Sequence, residues 1–288
     1  ALMTMLLEQN EEAGKFRFIF ISPDSEDSLL KWKHSKCYFC SVYNKNLPFD
    51  TQYPTDEKAA AVLEAYPYDY KANVIAKQEH ADYIIMEGAA LRIQNCFADT
   101  VPRERLAMHL HCQMERRGVF TEAFGVTIAP SQFIAADWNK MSPENIRYTF
   151  LLRNRIRTER FMVAITDERR AALRKSLGFE NDDFVVLYCG RLAAVKGVAE
   201  LISSVLSISD KKIKLLLIGS DSFADGNKEE YAEKIIQTVE LNKDRICYLG
   251  YIDNSRLPMY YQIADMQAIP SLWEEAVGLV ALEGMCSG

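Results

Sequence analysis

Apolar residues return along this chain in two rhythms. Short runs rich in β-branched and aromatic residues alternate with longer stretches whose apolar positions recur every three to four residues. In the first half the runs predict strands over residues 16–22 (FRFIFIS), 37–43, 82–87 (DYIIME), 105–112 (RLAMHLHC), 125–130 and 148–152. The longer spacing predicts helices over 1–9, 55–66, 70–79 and 131–138. In the second half the alternation is cleaner. Residues 166–177 (TDERRAALRKSL) predict a helix capped by Thr166, with acids in its first turn and Gly178 as its stop. Strands are expected at 184–189 (FVVLYC), 213–218 (IKLLLI), 245–249 and 266–270, and helices at 197–208, 229–240, 258–264 and 278–286.

Strands and helices that alternate in this way build parallel sheets with crossover helices, an α/β fold. Residues 145–163 fall between the halves and read as a linker, giving a first domain over 1–158 and a second over 159–288. Several strands of the second half end at a glycine, among them those before Gly190 and Gly219. Open α/β sheets bind ligands just outside the carboxyl ends of their strands, so candidate chemistry is sought there.

Composition narrows the classes. The 288 residues suit one large domain or two of ordinary size, and 49% apolar with 26% charged residues is the profile of a globular protein. A net charge of −6 leaves no basic footprint for nucleic acid. No apolar run approaches the ~18–20 residues that span a bilayer. The seven cysteines are odd in number and scattered through apolar runs, which suggests reduced thiols in a cytosolic protein. Cys37 and Cys40 form a lone CxxC without a second pair, so a half-buried strand is a better reading than zinc. Both ends read as cut. Residues 1–9 look like a helix already under way, and the last helical stretch stops at Gly288, so a fragment of a longer protein is expected.

Two stretches carry the candidate chemistry. In CGRLAAVKG (189–197) a strand ends, the chain turns at Gly190, Arg191 follows, and Lys196 sits just before a helix start. A guanidinium fork and an ammonium beside free helix N–H groups make an anion site suited to a diphosphate. Two solvated surface cations are the alternative. Neither GxxxxGK[ST] nor GxGxxG is present. In PSLWEEAVGLVALEG (270–284) a strand closes and a helix begins near Gly278. The N–H groups of Val277, Gly278 and Leu279 are then available to a phosphate. Glu275 in the loop and Glu283 on the helix are placed to accept hydrogen bonds from sugar or ribose hydroxyls. A solvated acid pair and a helix-face glutamate are the alternative. His109 and His111 lie two apart on a predicted strand and share a face. They read either as hydrogen-bonded core histidines or as a ligand contact. The Lys- and Trp-bearing stretch LLKWKHSK (29–36) reads as an ordinary loop or as a peripheral membrane contact.

Taken together, GRLAAVKG and PSLWEEAVGLVALEGMCSG resemble glycosyltransferase family 4, whose members have the GT-B fold: two Rossmann-like domains with parallel sheets facing a cleft. Both domains are then incomplete here, because the family's first strand and glycine-rich loop come before the helix at 1–9. The resemblance implies a retaining transfer of a sugar from a nucleotide diphosphate, most simply UDP, to a glycan or lipid-linked acceptor in cell-surface polysaccharide synthesis. Glu275 and Glu283 match the family's Glu-x7-Glu signature. The likeness gives Arg191 and Lys196 the donor diphosphate and gives Val277, Gly278 and Leu279 the sugar and phosphate. It sets Gly190, Gly219 and Ile252 beside the nucleotide, Glu283 on the ribose, and Glu275 and His111 on the transferred sugar. It implies a cytoplasmic protein, peripheral at the membrane if at all, with no cofactor and no metal. The chain departs from the family after the strand at 148–152, where Asn154-Arg155-Ile156-Arg157 replaces an Asn-Gly-Ile/Val-Asp turn. Two alternatives share the architecture: a sugar-nucleotide epimerase, and a non-catalytic fragment that binds nucleotide sugars.

Overall fold

The computed structural model describes residues 2–22, 34–40, 44–49, 53–87, 99–113, 124–141, 148–220 and 230–288. Two compact units divide the chain, Ala1–Asn154 and Arg155–Gly288. Among the described residues no helix is long and apolar enough to cross a membrane.

The first unit opens with helix α1 (Leu2–Ala13), strand β1 (Phe18–Ser22) and strand β2 (Ser35–Phe39). β1 and β2 form a parallel pair in the register Phe18↔Ser35 to Ser22↔Phe39. β2 therefore starts two residues before the run expected at 37–43, whose last three residues lie outside the described ones. Helix α2 (Glu57–Ala65) is capped by Asp56, whose carboxylate accepts from the Ala59 N–H at 3.1 Å. Helix α3 (Pro67–Gln78) begins three residues before the expected position 70. Proline at the first helical position has its φ preset and loses no hydrogen bond. Strands β3 (Ile84–Glu87), β4 (Leu106–His109), β5 (Val126–Ala129) and β6 (Thr149–Leu151) form a second parallel sheet in that order, with helix α4 (Gln132–Met141) between β5 and β6. β4 is shorter than the predicted 105–112. Arg103–Arg105 is a 3-10 turn, and past His109 the chain leaves the ladder after Leu110 N donates to Ile128 O at 2.9 Å. His111 thus lies just beyond the strand. Leu106, Met108, Leu110, Phe124, Ile134 and Trp138 are buried.

The second unit holds helices α5 (Thr158–Phe161) and α6 (Asp167–Ser176), strand β7 (Phe184–Cys189), helix α7 (Val198–Ser207), strand β8 (Ile213–Ile218) and helix α8 (Glu230–Glu240). Strand β9 (Ile246–Tyr248), helix α9 (Leu257–Ile263), strand β10 (Met266–Gln267) and helix α10 (Leu279–Ser287) complete it. Its sheet runs β10-β7-β8-β9, all parallel. Alternate residues of each strand feed opposite layers, the pattern of a doubly covered sheet. Val186, Tyr188, Leu215 and Leu217 pack with residues of α7 and α8. Val185, Leu187, Leu216 and Ile218 pack with residues of α9. β10 is shorter than the run at 266–270: after Ala268 N donates to Leu187 O at 2.8 Å, Pro270 has no N–H to continue the ladder.

Candidate functional site at the carboxyl edge of the second sheet

β7 and β8 end side by side at Gly190 and Gly219. Gly190 N donates to Ile218 O and Gly219 N to Gly250 O, both at 2.9 Å. A Cβ on Gly219 would lie 1.7 Å from Gly190 O, so a side chain there would force the strand ends apart. Arg191 follows in an exposed turn whose carbonyl accepts from the Tyr188 hydroxyl at 2.6 Å. A 3-10 turn, Ala194–Lys196, then leads into α7. Gly197 between them has φ +68°, and a Cβ on it would sit 2.0 Å from Pro270 O. Only glycine brings the turn this close to the loop at 268–278. Leu272 N donating to Val195 O at 2.9 Å ties the two segments together.

This contact joins the candidate residues of the two sequence stretches. Lys196 Nζ lies 2.6 Å from Glu275 Oε1, with the two side chains 19% and 27% exposed. The same ammonium stands 4.8 Å from the centroid of the Trp273 ring, within cation–π range. Ser271 Oγ donates to Glu275 Oε1 at 2.6 Å. Burial pushes the Glu275 carboxyl up, but donors from Lys196, Ser271 and Trp273 outweigh it, so the group is held below the usual carboxylate range. Glu275 is therefore a fixed anion at neutral pH, and Lys196 a cation already oriented.

α10 begins at Gly278, which has φ +68° and ψ 59°, and no side chain caps it. Its first turn is held by Ala281 N donating to Gly278 O and by Gln267 Nε2 donating to Val280 O, both at 2.9 Å. Val277, Gly278 and Leu279 are half-buried at that start. One turn further on, Glu283 accepts from the Tyr261 hydroxyl at 2.8 Å. Burial raises the Glu283 carboxyl, against the lowering effect of that hydrogen bond. Burial also raises the Tyr188 hydroxyl, which feels the charges of both Glu275 and Arg191. Burial pushes the Cys189 thiol up to about 11, with Glu283 adding to the rise. Tyr188 and Cys189 face opposite sides of the sheet, so the two glutamates flank the end of β7. Ile252, in the loop after β9, is half-buried against the α9-side cluster.

Arg191, Lys196, Glu275, Glu283 and the start of α10 thus gather around one strand end. The sequence reading assigned Lys196 and Glu275 separate jobs and missed their pairing. It also missed Trp273, Ser271 and Tyr261, because nothing in their local spacing marks them. Trp273 and Ser271 lie inside the quoted stretch, but Tyr261 reads only as an apolar position of α9.

In the first unit Glu87, at the end of β3, reaches both candidate histidines. Its Oε1 is 2.9 Å from His109 Nδ1 and its Oε2 is 2.6 Å from His111 Nε2. The two rings lie 4.5 Å apart although His111 has left the strand. His109 is buried, and its Nε2 has no hydrogen-bond partner among the described residues. Burial pushes the Glu87 carboxyl up, but hydrogen bonds from His109 and His111 outweigh it and hold it down at about 2. The hydrogen bond to Glu87 raises His111. The three ligand atoms lie within 4.8 Å of one another, a set that could be offered to a metal. The 2.6 Å separation is that of a hydrogen bond. Two ligands on one tetrahedral zinc sit roughly 3.3 Å apart.

Known proteins resemble this chain in sequence and in fold. Residues 169–288 match the family model for glycosyl transferases group 1. The lipopolysaccharide 1,2-N-acetylglucosaminetransferase of Salmonella typhimurium strain LT2 is 28% identical over 235 residues, 78% of this chain and 58% of that protein. An uncharacterized glycosyltransferase of Methanocaldococcus jannaschii, MJ1607, is 30% identical over 47% of this chain and 33% of its own length. The chain thus spans between a third and three fifths of the curated relatives it matches here. The crystal structure of Anabaena Alr3699/HepE in complex with UDP and glucose superposes with a TM-score of 0.70 at 17% identity, covering 98% of this chain and 74% of that one. At that identity the likeness is one of fold, and the fold is the α/β GT-B architecture of glycosyltransferases. The match to the group 1 glycosyl transferases thus covers residues 169–288, the greater part of the second unit.

Proposed function

We propose that this chain is the working part of a retaining glycosyltransferase that takes a sugar from a UDP-sugar and passes it to a hydroxyl of a glycan or lipid-linked acceptor. The observation that carries the reading is the Lys196–Glu275 pair, 2.6 Å apart beside the uncapped start of α10 at the carboxyl edge of a parallel sheet. Negative charge grows on the diphosphate as the glycosidic bond breaks. Arg191, the amides at Val277–Leu279 and Lys196, once the diphosphate has drawn it from Glu275, meet that charge, an effect worth several kcal/mol in transition states of this kind. These groups supply the positive charge, so the reading calls for no metal and no other cofactor at the diphosphate. Glu275 steadies the positive character of the departing sugar, and Glu283, braced by Tyr261, accepts from the ribose. Gly190 and Gly219 keep the strand ends low enough for the nucleotide to lie across them, with Ile252 near the base. The named activity of the Salmonella relative supports a role in cell-surface polysaccharide synthesis.

Isothermal titration with UDP, GDP, UDP-glucose and UDP-N-acetylglucosamine tests the reading. UDP should bind, and Lys196→Ala should weaken it about ten- to a hundredfold, the value of one hydrogen bond to a charged group. Binding of none of the four, or UDP binding that ignores Lys196→Ala, would overturn it.

A further inference from the structure

We propose that Trp273 is a positioning residue of the donor site: its ring face keeps the Lys196 ammonium in reach of the diphosphate, and its indole N–H keeps Glu275 in place once that ammonium has turned away. The inference rests on the reading above, in which the diphosphate draws Lys196 from Glu275. It adds the group that holds both partners while their ion pair is open.

All the groups lie on two segments of the second unit, the turn before α7 and the loop after β10. Main-chain contacts fix their approach. Leu272 N donates to Val195 O at 2.9 Å, and Pro270 O packs against Gly197. Trp273 follows directly on that hydrogen bond, so its side chain leaves from an anchored point of the loop. Lys196 Nζ stands 4.8 Å from the centroid of its ring and 2.6 Å from Glu275 Oε1. Glu275 also accepts from Ser271 Oγ at 2.6 Å and from the Trp273 indole. The two contacts of the ammonium differ in kind. The one to Glu275 is a directional hydrogen bond between charges and is lost when the nitrogen moves by about an ångström. The one to the ring is an attraction to a broad face that reaches about 6 Å from the centroid. An ammonium with its N–H donors free to rotate can therefore turn toward a phosphate while it stays over the ring. Glu275 needs support at that moment. Its side chain is 27% exposed, and a carboxylate so shielded is costly to leave without donors. The Ser271 hydroxyl and the indole N–H remain on it. At 38% exposure Trp273 is not a side chain placed to fill the core.

The test uses the full chain. Its three tryptophans, Trp32, Trp138 and Trp273, each carry one indole N–H that proton–nitrogen-15 NMR detects, and Trp273→Phe identifies the signal of Trp273. In the unaltered chain that signal should show the downfield proton shift and slow solvent exchange of an N–H bonded to a carboxylate, and Glu275→Gln should move it upfield. Lys196→Ala imitates the opened pair. The signal should keep its shift and protection there, because Glu275 still has Trp273 and Ser271. Titration calorimetry with UDP reads the ring. Trp273→Phe keeps an aromatic face and should leave the Kd unchanged. Trp273→Leu should weaken UDP about fivefold, the value of one cation–π contact, and should add nothing once Lys196 is replaced by alanine. An indole signal released to solvent in Lys196→Ala, or one indifferent to Glu275→Gln, overturns the inference. So does a loss of UDP affinity that Trp273→Leu causes equally with and without Lys196, which is what a merely structural ring would give. If the unaltered chain binds no UDP, the proposed function falls, and the indole signals alone decide the part played by Trp273.

Discussion

Exchanging Glu275 for glutamine keeps the shape of the side chain and an acceptor for Ser271, but removes the charge that holds Lys196. In the free protein that ammonium is engaged by Glu275 at 2.6 Å, with the pair about three quarters or more out of solvent. An incoming diphosphate must draw Lys196 away from this carboxylate and then sit near it. A partly shielded ion pair of this kind is worth about 1 kcal/mol, and releasing it converts to about fivefold in Kd. Glu275→Gln should therefore bind UDP about fivefold more tightly than the unaltered chain, while UDP-sugar turnover falls by two orders of magnitude or more. Titration calorimetry with UDP and a UDP-release assay with UDP-glucose measure the two effects side by side. The pH dependence has a definite sign. Glu275 is held below its ordinary 4.5, so its charge persists until the pH drops below that value. The difference between the two proteins should be constant from neutrality to about pH 5 and shrink only under more acid conditions. A tenfold or greater weakening of UDP by Glu275→Gln would refute the reasoning, because the carboxylate would then be holding Lys196 in place for the phosphate and not competing with it.

Three further outcomes follow from the same coordinates. Gly197→Ala, with φ +68° and a Cβ 2.0 Å from Pro270 O, should cost about 2 kcal/mol or more in urea unfolding and weaken UDP binding by displacing Lys196. Unchanged stability would mean that the turn and loop do not meet. Glu283→Gln should weaken UDP severalfold but leave 2′,3′-dideoxy-UDP unaffected, and equal losses would remove Glu283 from the ribose. Glu79 is held down to about 2 by hydrogen bonds from Tyr38, Lys36 and Arg17. A carboxylate with a depressed pKa stabilises the fold above its unfolded value and loses that contribution as pH falls from about 4.5 towards 2. Glu79→Gln should flatten the acid limb of the first unit's stability, followed by circular dichroism, and an unchanged limb would show that Glu79 is not linked to folding.

Much of the second unit was legible along the chain because its signals are local. The runs at 184–189 and 213–218 are continuous apolar strands, which both-sided burial requires. Thr166 capping α6 accepts from Arg169 N at 3.3 Å, as its side-chain chemistry demands. Strand ends were less legible. β4 ends at His109, in register with Glu87 at the end of its neighbour β3, and that pairing is not a property of the run itself. Arg245 opens the strand expected at 245–249, yet it is 2% exposed, donating to Val205 O at 2.8 Å and Ile213 O at 3.0 Å. The carbonyls that make its burial tolerable lie 32 to 40 residues away.

The site divides the same way. Residue types and order alone determined that cations follow β7, that acids bracket Gly278, and that both stretches sit at carboxyl ends of parallel strands. Local chemistry suffices for that, since glycines, caps and β-branched runs act within a few residues. Only the tertiary structure decided that Lys196 is held by Glu275 across 79 residues, that Tyr261 braces Glu283, and that one carboxylate on β3 clasps two histidines from β4 and its exit. Hydrogen bonds and ion pairs depend on separation in space to within an ångström, and sheet register sets that separation for residues far apart in the chain.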